Sequence, residues 1–117
     1  MSDAITLKAD QKLMASIQYN EKGLIPGIVQ HADSGEILMM AWLNRESLQK
    51  TLKTGKAVFW SRSRQTLWTK GETSGNMLEV QCILTDCDQD ALVIKALPRG
   101  PACHTGERTC FFRTLAQ

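Results

Sequence analysis

The chain has 117 residues, and its 14 lysines and arginines against 12 aspartates and glutamates give a formal net charge of +2. This length predicts a single domain over 1–117, because domains usually hold about 100–150 residues. The near-neutral charge argues against a polybasic surface that binds nucleic acid. No apolar run approaches the ~20 residues that span a membrane, and the N-terminus lacks the pattern of a secretory signal. We therefore expect a cytoplasmic protein that binds neither nucleic acid nor membrane.

The first half of the chain predicts a helix, a hairpin and a second helix. Residues 5–20 carry apolar side chains at helical spacing. The apolar stretches 24–30 and 36–43 flank turn-forming residues and predict a β-hairpin. A second helix is predicted over 44–54, because Asn44 can cap its start and the next glycine can stop it.

The second half predicts two more pairs of strands. Short strands are expected over 57–61 and 66–69, and longer ones over 76–84 and 91–97. From Pro98 onward the proline and glycine content indicates irregular structure. The pattern predicts an α+β fold, in which antiparallel hairpins form the sheet and one or two helices cover it.

Three aspartates alternate along the turn between the last two strands: Asp86, Asp88 and Asp90. An extended backbone would point all three carboxylates to one side, and hard oxygen ligands suit Mg²⁺ or Ca²⁺. The spacing is not that of an EF-hand, since positions six and twelve hold Ala91 and Leu97. Aspartate is also frequent in ordinary turns, and both interpretations stay open on these residues alone.

Four cysteines lie in the last 36 residues. In a reducing compartment, clustered thiols favour metal ligands or nucleophiles. Cys82 lies in an apolar run and fits a small buried residue, whereas Cys103 and Cys110 bracket a hydrophilic segment. If Cys87 joins them, three thiolates leave the fourth position of a zinc ion for water, which is typical of a catalytic site. Their spacing matches no standard zinc pattern, so the residues alone leave the site undecided.

Residues 59–76 combine cations, hydroxyl groups, glycines and two tryptophans. Such guanidinium, ammonium and backbone N–H groups bind phosphate, and a tryptophan can stack on a base. The segment contains neither a P-loop nor a dinucleotide fingerprint. Trp60 and Trp68 taken singly, like Met39, Met40 and Trp42, predict core packing. The candidate substrate-binding residues are Trp60, Arg62, Arg64, Lys70, Ser74, Gly75 and Asn76.

Together, these motifs resemble the phosphoribosyl-AMP cyclohydrolase family, whose enzymes open an adenine ring in histidine biosynthesis. The resemblance covers about residues 23–112 in the family's order, through GLIPGIVQ, LMMAWLN, SRSRQTLWTKGETSGN, DCDQDALV and GPACHTGERTCFF. Thr109 stands where the family more often has serine, and it keeps the hydroxyl group. Some relatives carry a fused phosphoribosyl-ATP pyrophosphohydrolase domain, which we do not expect in a chain of this length.

The resemblance implies an intertwined homodimer that binds a small nucleotide. It implies one zinc per chain, shared between the two chains and held by Cys87, Cys103 and Cys110, and Mg²⁺ held by Asp86, Asp88 and Asp90. Zinc-activated water would attack C6 of the adenine, and cleavage of N1–C6 would open the ring. The cations of residues 59–76 would bind the two phosphate groups of the substrate.

Proton transfer is assigned to His104, which adjoins a predicted ligand, because histidine is the side chain that most often acts as a general acid or base. Glu72 is a second acid–base candidate. One alternative is another zinc purine hydrolase, although the zinc deaminase signature is absent. The other alternative is a zinc-stabilised module that binds nucleic acid through its arginines and tryptophans.

Overall fold

The computed structural model describes residues 7–117. The described part of the chain forms two helices and six strands, in the α+β class that the sequence predicts. In chain order they are α1 (Gln11–Ala15), β1 (Ile25–His31), β2 (Ile37–Leu43), α2 (Arg45–Thr54), β3 (Val58–Ser61), β4 (Thr66–Thr69), β5 (Leu78–Thr85) and β6 (Leu92–Pro98). No helix in this part of the chain is both long enough and apolar enough to cross a bilayer.

The helix α2 begins and ends where its sequence signals place it. The Asn44 side chain accepts a hydrogen bond from the Ser47 N–H at 2.8 Å, and the Ser47 hydroxyl accepts one from the Asn44 N–H at 2.9 Å. This reciprocal pair satisfies backbone donors at the helix start. Gly55 ends the helix in the left-handed conformation, with a φ of 75°.

The helix α1 is much shorter than the predicted helix over 5–20, of which residues 5 and 6 lie outside the described part of the chain. Asp10 caps its start, and the Ser16 N–H already turns back to the Leu13 carbonyl at 3.1 Å. The Gln18 N–H then bonds the Gln89 carbonyl at 2.8 Å. The local turn and this tertiary hydrogen bond take backbone groups that a longer helix would have used.

The main sheet has the strand order β2-β1-β6-β5. Both predicted hairpins are confirmed, since β1 pairs with β2 and β5 with β6 in antiparallel fashion. The prediction of an antiparallel sheet is wrong at its centre, where β1 and β6 run parallel, with Val29 opposite Ile94. Turn chemistry fixes each hairpin locally, but the pairing of one hairpin with the other depends on which strands are buried.

The central strands β1 and β6 are the most buried, with every second side chain in the core. Gly27 makes room for the core in β1, because a Cβ there would lie 2.5 Å from Leu43 Cδ1 and would force that side chain to move. In β5 the alternation breaks at a bulge between Val80 and Cys82. Cys82 is therefore exposed, and its interpretation as a small buried residue is wrong.

The strands β3 and β4 form a separate hairpin beside β2 and α2. Phe59 is fully buried, and its ring centroid lies 5.1 Å from that of Trp68, which packs on the core as predicted. Thr51 of α2 fixes the position of this hairpin, because its hydroxyl accepts a hydrogen bond from the Val58 N–H at 2.9 Å. After β6, residues 99–117 form neither helix nor strand, as predicted.

Candidate metal centre and anion site

Residues 102–110, here called the thiol loop, fold back on themselves and bring two sulfurs together. The Cys103 N–H bonds the Glu107 carbonyl at 3.1 Å, and the Gly106 N–H bonds the Cys103 carbonyl at 3.0 Å. Gly106 has a φ of 95°, which favours glycine. The thiols of Cys103 and Cys110 consequently lie close enough for each to affect the pKa of the other. Two of the three predicted zinc ligands therefore meet in one chain.

An ion pair attaches the thiol loop to the start of the β2 strand. Arg108 Nε and Nη2 donate to the two carboxylate oxygens of Glu36, each at 2.8 Å. This two-point geometry is the strong form of an arginine–carboxylate contact. The pair joins residues that are 72 positions apart in the sequence, so no local sequence pattern predicts this contact.

Hydrogen bonds to the outer edge of β2 hold the end of the loop. The Thr109 hydroxyl donates to the Ile37 carbonyl at 2.6 Å, and the Cys110 N–H donates to the Leu38 carbonyl at 2.7 Å. Thr109 is buried, and its hydroxyl group is what the loop uses here. The contact needs only a hydroxyl group, which threonine and serine share.

The two thiols differ in their readiness to ionise. The Thr105 hydroxyl donates to Cys103 Sγ at 3.0 Å, and this hydrogen bond lowers the pKa of the Cys103 thiol. Partial burial raises the pKa of Cys110, and its neighbour Cys103 raises it further. The Lys70 ammonium opposes that rise. The first negative charge of the pair therefore resides on Cys103, and a cation placed between the sulfurs would favour the second.

The three aspartates of the turn between β5 and β6 do converge. Ligand oxygens of Asp86, Asp88 and Asp90 all lie within 4.8 Å of one another, and all three side chains are exposed. Within residues 7–117 they are the one group of three acidic, cysteine or histidine side chains this close together. The carboxylates converge through this turn and not through an extended backbone, and oxygen donors at this spacing suit a hard divalent cation.

One of these aspartates also builds the turn. Asp86 Oδ1 accepts hydrogen bonds from the Asp90 N–H at 3.0 Å and the Ala91 N–H at 3.3 Å. Partial desolvation opposes ionisation of Asp86, but hydrogen bonds from the Asp90 side chain and these N–H groups leave its pKa lowered. The pKa of Asp90 is raised, because its carboxyl group shares a hydrogen bond with Asp86 and faces its charge.

Cys87 lies on this same hairpin tip, residues 86–91, and is exposed. The thiol loop is attached to β2 at one edge of the sheet, whereas the tip joins the two strands at the other side. With strands about 4.8 Å apart, this separation is two to three strand spacings, or roughly 10–14 Å. Thiolates on one zinc ion lie about 4 Å apart, since each Zn–S bond is about 2.3 Å. Within residues 7–117 the fold does not bring Cys87 to Cys103 and Cys110.

The predicted phosphate-binding cations surround the β2 side of the molecule. The Arg62 guanidinium stacks over the Trp42 ring at 5.0 Å from its centroid. Lys70 lies close enough to Cys110 to affect its pKa. Arg64 is exposed on the β3–β4 turn, and Trp60 is half-buried in β3. Trp42 is half-buried and supports a cation, so its interpretation as core packing alone is wrong. Met39 is buried as predicted, whereas Met40 is 40% exposed and does not pack in the core.

Residues 70–76, here called the glycine loop, follow β4 and close tightly. Gly71 has a φ of 84°, and a Cβ there would lie 2.4 Å from the Asn76 carbonyl carbon. Only glycine fits that position without moving the backbone. The Gly75 N–H bonds the Gly71 carbonyl at 2.7 Å, and the Asn76 N–H bonds the Ser74 hydroxyl at 3.2 Å. Ser74 and Gly75 are left exposed at the surface of the loop.

The two predicted acid–base residues occupy these two loops. His104 is exposed in the thiol loop, directly after Cys103, and Glu72 is exposed in the glycine loop. The sequence reasoning missed Glu36, Arg108 and Thr105, which hold the thiol loop or tune its sulfurs. Arg108 and Thr105 lie between the two cysteines and could have been noticed, whereas Glu36 has no such local signal.

The sequence also matches known proteins. The family model described as phosphoribosyl-AMP cyclohydrolase matches residues 39–112, more than half of the chain. A phosphoribosyl-AMP cyclohydrolase of Chlorobium limicola is 52% identical over 88% of this chain and 75% of its own length. That of Micrococcus luteus is 50% identical over 92% of this chain and 85% of its own length.

A longer relative matches as well. A histidine biosynthesis bifunctional protein of Thermus thermophilus is 56% identical over 104 residues, which cover 89% of this chain and 49% of that protein. The present chain thus spans about half the length of that relative. The matched region of the family model includes both the thiol loop and the hairpin tip. The chain belongs to the phosphoribosyl-AMP cyclohydrolase family.

Proposed function

We propose that this protein is a phosphoribosyl-AMP cyclohydrolase that hydrolyses the N1–C6 bond of the adenine ring in histidine biosynthesis. The observation that carries the proposal is the identity of 50% or more with proteins of that name over about nine tenths of the chain. The two candidate metal groups and the cations of residues 62–70 would supply the chemistry that such a reaction needs.

The thiol loop supplies two donors that suit zinc. Its two thiols lie close enough to affect each other's pKa, the pKa of Cys103 is lowered, and soft thiolates prefer zinc to hard cations. The residues that would hold the ion are Cys103 and Cys110 of one subunit and Cys87 of the partner subunit. The separation of Cys87 from the thiol loop within one chain supports this sharing. When bound, zinc would supply Lewis acidity that activates water at neutral pH.

Substrate recognition would fall to residues of the β3–β4 hairpin and of the glycine loop. Arg62, Arg64 and Lys70 would bind the two phosphate groups, since cations at exposed positions pair with phosphate oxygens. The Ser74-Gly75-Asn76 turn would contribute a hydroxyl and backbone N–H groups. Trp60 would stack on the purine.

Proton movement accompanies the hydrolysis. The oxygen of water bonds to C6, the N1–C6 bond breaks, and C6 becomes a carboxamide carbon that keeps the exocyclic nitrogen. Both protons leave the attacking oxygen as it becomes the carboxamide oxygen, one reaching N1 and the other the exocyclic nitrogen. His104 is the group that we expect to move them through its imidazole nitrogens. Glu72 would assist from the glycine loop.

The hairpin tip would hold Mg²⁺ through Asp86, Asp88 and Asp90. Their oxygens lie within 4.8 Å of one another, and a divalent cation would relieve the repulsion that raises the pKa of Asp90. Since Cys87 lies within the same five residues, an ion here would also order the backbone that presents the partner's zinc ligand.

Incubation of the purified protein with phosphoribosyl-AMP tests the proposal. We expect the absorbance of the ring-opened product to appear with no release of ammonia. Release of ammonia would instead indicate a zinc purine deaminase. Absence of any reaction in the presence of Zn²⁺ and Mg²⁺ would contradict the proposal.

A further inference from the structure

An apolar groove of about 450 Å³ lies between the N-terminal segment, α2 and the outer strand β5. Its walls include Leu13, Met14, Ile17, Leu52, Cys82 and Leu84. Leu13 and Leu84 are 42% and 45% exposed, so the groove is open to solvent. An exposed apolar surface beside an edge strand is one that proteins usually cover.

The walls of this groove are fixed at both ends. The Leu7 N–H donates to the Leu52 carbonyl of α2 at 2.8 Å. At the other end, Gln18 and Ser16 both bond Gln89, which lies on the hairpin tip. One end of the groove therefore lies beside the tip that carries Cys87.

A second exposed apolar feature follows the thiol loop. Residues 111–117, here called the C-terminal tail, form neither helix nor strand and are exposed throughout. Phe111 is 60% exposed, Phe112 47% and Leu115 fully exposed. Such large apolar side chains, closely spaced in one short segment, gain free energy when a partner surface removes them from water.

The proposed zinc site connects the two features across subunits. If Cys110 and the partner subunit's Cys87 share one ion, their sulfurs lie about 4 Å apart. Phe111 directly follows Cys110, whereas Leu84 and Thr85 of the groove directly precede the hairpin tip. Leu115 lies five residues after Cys110, and Cys82 lies five residues before Cys87. Extended backbone covers about 16 Å in five residues in either direction.

We propose that the C-terminal tail of each subunit docks in the apolar groove of its partner. This proposal rests on the shared zinc site of the proposed function and adds an interaction surface to it. Residues 55–57 cover the outer edge of β5 along 78–80. The partner's tail would cover the following segment, where Cys82 and Leu84 are exposed.

A disulfide trap uses the native Cys82 as a reporter. Leu115→Cys in the zinc-loaded protein, under mild oxidation and then alkylation, should give a covalent dimer with a disulfide between positions 82 and 115. The same substitution combined with Cys82→Ser should give none. Ser34→Cys places a thiol on the exposed turn between β1 and β2 and is the control for random collision.

The outcomes separate the docking proposal from the function. Docking alone would be overturned if the disulfide between positions 82 and 115 formed within a single chain. It would also be overturned if no such disulfide formed in a protein that is dimeric and opens the purine ring. A protein that is monomeric and inactive with Zn²⁺ present would overturn the proposed function together with the docking.

Substitutions in the tail provide a second measurement. Phe111→Ser with Leu115→Ser should raise the dimer dissociation constant at least about tenfold, because two large apolar side chains lose their burial. Gln117→Ser, at the end of the same tail, should leave the constant unchanged. Equal constants for all three proteins in analytical ultracentrifugation would overturn the proposal.

Discussion

The thiol loop and the hairpin tip are both candidate metal groups, but they are built in opposite ways. The aspartates of the tip converge through a local turn, closed by hydrogen bonds between Asp86 and residues four and five positions later. The thiol loop depends on Glu36 and the edge of β2, about 72 positions away. A local group survives if its own turn forms, whereas a non-local group needs the whole sheet to be in place.

The largest expected effect is the loss of a sulfur from the thiol loop. Cys110→Ala should remove bound zinc and lower the rate of ring opening on the order of 10³-fold or more, because water is no longer activated. Cys82→Ala is the matched control and should retain one zinc per chain in metal analysis. Full activity of Cys110→Ala without zinc would contradict the zinc assignment.

Mixing of subunits tests whether the two regions meet across the dimer. Cys87→Ala and Cys103→Ala should each be inactive, but unfolding and refolding them together should restore about one quarter of the wild-type activity. Random association makes half of the dimers mixed, and each of these has one intact site of two.

A second mixture is the control for that experiment. Cys103→Ala and Cys110→Ala damage the same loop, so their mixed dimers keep a defect at both sites and should recover no activity. Recovery in neither mixture, once mass spectrometry has demonstrated mixed dimers, would place all three ligands in one chain.

The exposed imidazole of the thiol loop is expected to matter for chemistry more than for metal binding. His104→Ala should lower kcat about 100-fold, which is typical of a lost general acid or base. The zinc content should stay at one per chain. If zinc and activity fall in proportion, His104 instead orients the metal site.

The contact between Arg108 and Glu36 is expected to have a smaller effect. Arg108→Lys keeps the charge but loses the two-point geometry, and we expect zinc to bind about tenfold more weakly, as for other groups that support ligands. Magnesium binding at the hairpin tip, measured by calorimetry, should not change. An equal loss at both metal groups would mean that the two regions are not independent.

The smallest effect is a pH dependence. The Arg108 hydrogen bond lowers the pKa of Glu36 below its ordinary value of 4.5. The stabilisation from this carboxylate is therefore complete above about pH 4.5 and is lost as the pH falls through the lower pKa of the folded state. In metal-free protein, Glu36→Gln should lower the free energy of unfolding at pH 7. The difference in this free energy between the variant and the wild type should shrink as the pH falls. The control is Glu21→Gln, at an exposed position away from the loop. If the loss of stability in Glu36→Gln did not vary with pH, it would not come from the ionised Glu36 carboxylate.

The sequence predicted the elements whose signals are local. The bounds of α2 follow from Asn44 and Gly55, and both main hairpins follow from alternating apolar strands around polar turns. The convergence of Asp86, Asp88 and Asp90 was expected from alternation along an extended backbone, and it arises instead from the local turn that these residues form. In each case the residues that decide the structure lie within a few positions of one another.

The tertiary structure decided the features that join distant segments. The parallel pairing of β1 with β6, the exposure of Cys82 beside a bulge and the shortness of α1 all depend on contacts between separate elements. Periodicity reports which face of a strand is apolar, but it does not report which other strand lies beside it. The same holds for the thiol loop, because Glu36 becomes a partner of Arg108 only when β2 forms the edge of the sheet.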